Sequence, residues 1–147
     1  MKKLLLPVFI IGLIILSGCA QQNNSDNTKV ELYKSASCGC CSGYAAELSG
    51  RSFNVEKINT ENTSNLKAQY NISSNMQSCH TSIIEGYFVE GHVPIEAVNK
   101  LLEERPDIDG IALPRMPAGS PGMPGVKQEK FIIYALKNGN ATVFMEI

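Results

Sequence analysis

Val30 to Lys34 alternates apolar and polar side chains, with β-branched and aromatic residues among them, as a short strand does. Phe53-Asn54-Val55-Glu56-Lys57-Ile58 repeats the period of two and predicts a second strand. Between them Ser35-Ala36-Ser37 turns. Ser37 is placed to cap a helix running from about Cys40 to Leu48 and ended by Gly50. Asn62-Thr63-Ser64 starts a short helix through Leu66 to Tyr70. Ser82-Ile83-Ile84 and Tyr87-Phe88-Val89 flank Glu85-Gly86, a hairpin signal. Pro94 suits the first position of the next helix, in which Ile95, Val98, Leu101 and Leu102 share one face; Pro106 stops it. Gly110 to Leu113 reads as a short strand. Phe131 to Leu136 and Ala141 to Ile147 read as strands joined by Asn138-Gly139. Pro114 to Gly125 has no period at all. A Pro/Gly loop of that length in a compact domain is either disordered or functional, and this one carries Met116 and Met123. Met76 and Met145 fit core positions instead.

The N-terminal pattern is of another kind. Behind Met1-Lys2-Lys3, Leu4 to Leu16 is apolar except for Pro7 and Gly12. It is too short for a spanning helix and reads as an export signal. Leu16-Ser17-Gly18-Cys19 resembles a bacterial lipobox, which implies cleavage before Cys19 and acylation of that cysteine. Each buried CH₂ contributes about 0.8 kcal/mol, and more than one acyl chain makes the anchor in a lipid bilayer stable. Ala20 after the cysteine points to the outer membrane rather than inner-membrane retention in a Gram-negative host. Gln21 to Thr28 is polar and reads as a tether. The expected organisation is a signal peptide over 1–18, lipidated Cys19 and tether over 19–28, and one domain over 29–147 facing the periplasm.

Charge narrows the partners. Lys and Arg total 13 against 14 Asp and Glu; loss of Lys2 and Lys3 with the signal leaves 11 against 14, a formal charge of −3. No basic run is present, which argues against nucleic acid.

With Cys19 assigned to lipid, Cys38, Cys40, Cys41 and Cys79 remain, and the first three fall within four residues. The envelope permits disulfides, but a bridge inside one turn closes almost no loop and stabilises little. The strand–CxxC–helix–strand order opens a thioredoxin-like fold. A thiolate at that helix N-terminus is stabilised by free N–H groups and the helix dipole, as nucleophile or as ligand. Cys38 and Cys41 are the redox candidates for thiol–disulfide exchange. Cys40 adds nothing to two-thiol exchange but supplies a third soft donor, which favours metal. Four thiolates can close a zinc site, yet adjacent Cys40 and Cys41 serve two neighbouring ions more readily than one. Thioether is a poor zinc ligand and a good Cu(I) ligand, so Met116 and Met123 favour copper. His80, beside Cys79, is a further candidate ligand; the alternative is a capping histidine. His92, between hairpin and helix, is a weaker candidate against an ordinary loop residue.

Lys34-Ser35, Cys38-Gly39-Cys40-Cys41, Ser78-Cys79-His80-Thr81, Gly86-Tyr87, Glu90-Gly91-His92-Val93-Pro94 and Gly119-Ser120-Pro121-Gly122-Met123 occur in this order. Together they resemble the CopG-type family of periplasmic copper-binding proteins, over essentially the whole of the domain. The resemblance implies an α/β, thioredoxin-like fold, here extended by a C-terminal β-hairpin and the Pro/Gly/Met loop. It also implies several Cu(I) ions in a thiolate cluster of Cys38, Cys40, Cys41 and Cys79, with His80 and Met123 nearby. Copper resistance and Cu(I)/Cu(II) redox chemistry follow from the same resemblance. If the protein is an enzyme, it is a copper-linked oxidoreductase. Copper-delivery or efflux proteins of the periplasm are the implied partners. The family often has Pro where Ala36 and Ser73 stand, which weakens the thiol-oxidoreductase reading and leaves the ligands intact. The alternatives are an envelope oxidoreductase using Cys38 and Cys41, and a zinc-stabilised or metal-free interaction module.

Overall fold

The computed structural model describes residues 28–147. The signal segment, Cys19 and nearly all of the tether lie outside them. Among the described residues no helix is long and apolar enough to cross a membrane.

The first strand, β1 (Lys29–Lys34), turns Val30, Leu32 and Lys34 inward. Helix α1 (Gly39–Ser49) buries Cys41, Tyr44, Ala45 and Leu48, the i, i+3, i+4, i+7 row of one helical face. The chain then returns as β2 (Asn54–Asn59), parallel to β1. The cap differs from the expected one. Cys38, not Ser37, holds the N-cap position with no side-chain bond, while Ser37 Oγ lies 3.1 Å from Ser35 Oγ. Ser37 is engaged within the turn instead, and the helix starts at Gly39, one residue before the expected Cys40.

After α2 (Thr63–Gln69), capped by Asn62, and a 3₁₀ turn at Ser74–Met76, β3 (His80–Ile84) pairs antiparallel with both β1 and β4 (Tyr87–Glu90). Glu85 (φ 49°) and Gly86 (φ 88°) both take the left-handed conformation that a two-residue hairpin turn demands. Helix α3 (Ile95–Glu104) buries Ile95, Ala97, Val98 and Leu101. It ends at left-handed Arg105, whose N–H bonds Leu101 O, one residue before Pro106. β5 (Gly110–Ala112) runs parallel to β4, and β6 (Ile132–Lys137) and β7 (Asn140–Glu146) form the predicted C-terminal hairpin.

The result is a mixed α/β domain around one seven-stranded sheet in the order β2-β1-β3-β4-β5-β6-β7. The main core, with Leu32, Tyr44, Leu48, Ile84, Val89, Val98 and Leu101, packs α1 and α3 on one face. A smaller cluster, with Ile72, Phe88, Ala112 and Leu136, lies on the other. The loop from Pro114 to Gly125 is irregular but internally bonded: Ser120 Oγ donates to Pro117 O at 2.7 Å, and Met123 N to Ser120 O at 2.8 Å.

Leu101 is fully buried in the main core, whereas Val143 on the edge strand is 59% exposed. Leu101→Ala is expected to lower the unfolding free energy by about 2–5 kcal/mol. Val143→Thr should stay within about 0.5 kcal/mol of the parent. Urea denaturation of both variants checks the assignment of core and edge.

Candidate metal centre

Strand register assembles the centre. Lys34, the last residue of β1, sits opposite His80, the first of β3, so the turn bearing Cys38 lies beside Cys79. Thr81 pairs with Glu90, so the end of β4 returns to the same edge and delivers His92 there. Gly91 makes the crossing: its N–H bonds His80 O at 3.0 Å, and its φ is +78°. A Cβ at this position would lie 2.6 Å from the Ser78 Cβ, so only glycine fits.

The sulfurs of Cys38, Cys40, Cys41 and Cys79 all lie within 4.8 Å of one another. Cys38 and Cys41 are joined as a disulfide, with Cα atoms 5.4 Å apart; Cys40 and Cys79 are free. Cys79 Sγ is 3.5 Å from Cys41 Sγ, and Cys38 Sγ is 3.5 Å from Cys40 Sγ. Cys79 also belongs to a second group. Its sulfur is 3.3 Å from His80 Nδ1 and 3.1 Å from His92 Nε2, and these three donors again fall within 4.8 Å.

The two imidazoles differ in their support. His92 Nδ1 lies 2.7 Å from Pro121 O. A carbonyl only accepts, so Nδ1 carries the proton and the Nε2 lone pair faces Cys79. Histidine metal ligands are oriented by this kind of outer hydrogen bond. His80 turns Nδ1 to the sulfur, and its buried Nε2 has no hydrogen-bond partner among the described residues. Burial, then the charges of His92, Lys67 and Lys34, push His80 down to about 3. Burial lowers His92 as well, against the Pro121 bond, which raises it. Both rings are thereby held neutral, the form that ligates metal. Cys79 is pushed up to about 11 by burial and then by the neighbouring Cys40, so in the free state it is a thiol.

Residues without a local signal complete the surroundings. Tyr44, fully buried, donates its hydroxyl to Val93 O at 2.9 Å and lies against both imidazoles, with ring centroids at 4.8 Å and 5.7 Å. Its place on the apolar face of α1 reads only as core. On the opposite face of the sheet the Glu90 carboxylate, with no exposed surface, pairs with Lys67. It also accepts from Thr81 Oγ1 at 2.6 Å and from Ser78 N at 2.5 Å. The segment carrying Cys79 and His80 is therefore tied to β4 from behind.

The Pro/Gly loop reaches the centre through its main chain. Pro121 holds His92, and Gly122 (φ +77°) packs on the first turn of α1, where a Cβ would lie 2.9 Å from Cys40 O. Met123, the next residue, is partly buried; Met116, left-handed at φ 52°, is 38% exposed. The cysteines, His80 and His92 are brought together, and Met123 lies beside a loop residue that touches them.

A family model described as "Protein of unknown function, DUF411" matches residues 76–123, which include Cys79, His80, His92 and the loop to Met123. Two solved structures, both described as copper resistance protein CopG, are similar along nearly their whole length. Form 2 is 37% identical with a TM-score of 0.76, covering 82% of this chain and 98% of that one. Form 1 is 38% identical with a TM-score of 0.74, covering 81% and 96%. No curated protein matches the chain.

Gly122→Ala should lift the loop from α1 and release the His92 Nδ1 proton from Pro121 O. Faster amide exchange over 116–126, together with a shifted His92 ring resonance, is the expected signature. Unchanged exchange and ring shift would show that the loop accommodates a side chain there.

Proposed function

This chain belongs to the CopG family of copper resistance proteins, and on that premise we propose that it binds more than one Cu(I) ion in a thiolate cluster of the cell envelope. The observation that carries the reading is the sharing of Cys79 between two donor groups, one of four sulfurs and one of a sulfur with two imidazoles. A single ion cannot use so many donors in good geometry. Soft thiolates select Cu(I), and neutral imidazole suits copper as well. In this reading Cys38, Cys40, Cys41 and Cys79 are the cluster thiolates, and His80 and His92 flank it through the nitrogens that face Cys79. Met123 adds a thioether from the loop, with the more exposed Met116 the weaker candidate. Ligation by all four sulfurs needs the Cys38–Cys41 disulfide reduced by thiol–disulfide exchange with an external dithiol, which gives up two electrons and two protons to form two thiols and is itself left as a disulfide.

The β2-β1-β3-β4 order supports a thioredoxin-like frame: β1 and β2 are parallel, β3 is antiparallel to β1, and CxxC stands at the start of α1. The Cys38–Cys41 disulfide favours a second reading, an envelope thiol–disulfide oxidoreductase. Copper-linked redox activity would join the two. The lipobox-like Leu16-Ser17-Gly18-Cys19 supports a lipid-anchored protein that faces the periplasm, with Ala20 favouring the outer membrane and periplasmic delivery or efflux proteins as partners.

Anaerobic titration of the reduced protein against a competing Cu(I) chelator is expected to show more than one ion bound. Cys40→Ser should lose an ion or about tenfold in affinity. No copper binding in either form, with strong disulfide-reductase activity unchanged by Cys40→Ser, would establish the oxidoreductase instead. One ion with tighter zinc binding would identify the zinc-stabilised module.

In cells, Cys19→Ala should abolish acylation. An intact mass without acyl chains on the native protein would refute the anchor.

A further inference from the structure

Two lysines are buried close to the centre, and they are treated differently. Lys67, 4% exposed, faces the Glu90 carboxylate. Lys34, 3% exposed, has only neutral partners: its Nζ donates to Ser35 O at 2.8 Å and lies 3.5 Å from Ala36 O and 3.4 Å from Asn59 Oδ1. Among the described residues no carboxylate forms an ion pair with it. A buried ammonium without a counter-charge is costly, and such charges are normally paired.

The position of Lys34 indicates where its counter-charge arises. Ser35 O, which accepts from the ammonium, also accepts from Cys38 N at 3.1 Å, so the charge sits under the turn that presents the first sulfur. His80 stands directly across the β1–β3 pair on the same face, where paired Cβ atoms are about 4.5–5.5 Å apart. His80 in turn touches Cys79 at 3.3 Å. The field of Lys34 reaches this ring, being one of the charges that hold it neutral. In the state described here Cys38 and Cys41 are tied in a disulfide, which carries no charge. Reduction of this disulfide by an external dithiol, itself oxidised to a disulfide in the exchange, followed by loss of the thiol protons to solvent as Cu(I) binds, would bring up to four anionic sulfurs to the same place.

We infer that Lys34 is the built-in counter-ion of the reduced thiolate centre, a positioning residue whose ammonium strengthens the binding of Cu(I) by offsetting the negative charge of the sulfurs. The inference rests on the copper reading above. Lys67 cannot fill this role because Glu90 already offsets its charge. Burial keeps the interaction from being screened by salt. The sign of the effect depends on state: the charge is a burden in the oxidised, metal-free protein and an asset once thiolates form.

That reversal is the test. Lys34→Met removes the charge and keeps the volume. Asn59→Asp, at an exposed position, keeps the lysine and places a carboxylate beside its Nζ. Both should bind Cu(I) roughly 10- to 100-fold more weakly in anaerobic chelator competition. The urea midpoint of the oxidised, metal-free protein should be equal or higher in both. Asn59→Ala, which removes the contact without adding charge, should bind like the parent. Parent-like affinity in Asn59→Asp overturns the inference, even if Lys34→Met fails to fold. Affinity and apo stability lost together in Lys34→Met, with Asn59→Asp unchanged, would make Lys34 a clamp on the Ser35 turn. A parent that binds no Cu(I) would overturn the copper reading itself, and this inference with it.

Discussion

One carboxylate with no exposed surface holds the working end of the sheet together. Glu90 accepts from the Lys67 ammonium, the Thr81 hydroxyl and the Ser78 amide at once, and so joins α2, β3 and the segment before Cys79. The desolvation of such a pair is expensive, and an apolar replacement of the same shape is often as stable. Geometry is what the arrangement supplies. With Ser78 fixed, Cys79 and His80 cannot slide along β1, and the sulfurs of α1 meet a sulfur and an imidazole at a defined distance. A donor cluster drawn from three separate segments needs this kind of rigidity behind it if it is to hold a metal.

The two faces of the sheet thus divide the labour. On the α1 side lie the sulfurs, both imidazoles and the Tyr44 ring that packs against them. On the α2 side lies the ionic support. The alternation of β3 makes the division possible, since His80 and Thr81 are neighbours in sequence and must point to opposite sides. A strand that turns an imidazole to one face and an anchor to the other connects the two without any intervening loop.

Much of this was legible in the chain. The alternation in β1 and β2, the Asn138-Gly139 turn, the α3 face and the cysteine turn all have local signatures, and the structure places them within a residue or two of their expected bounds. The cap of α1 lies one position later than expected, at Cys38, with Ser37 engaged by Ser35 in the turn. His92 looked like a loop residue because nothing near it in sequence indicates burial. Its surroundings come from Cys79, 13 residues earlier, and Pro121, 29 residues later. Lys34, Lys67 and Glu90 were invisible for the same reason. Lys34 shares the inward parity of Val30 and Leu32 but is charged, Lys67 and Glu90 carry no local sign of burial, and only the packing of distant segments covers all three.

The bond from His92 to the loop is made to a main-chain carbonyl, and the neighbouring contact on α1 is made by a residue with no side chain. The loop therefore serves the imidazole by the path it follows, not by the identity of its side chains. Substitutions that keep this path should leave the bond to His92 in place. Substitutions there can be silent one by one, yet any change that bends the path alters which nitrogen of a distant ring carries the proton. What reaches the ring is a backbone trajectory, shaped by the left-handed turns at Gly119 and Gly122.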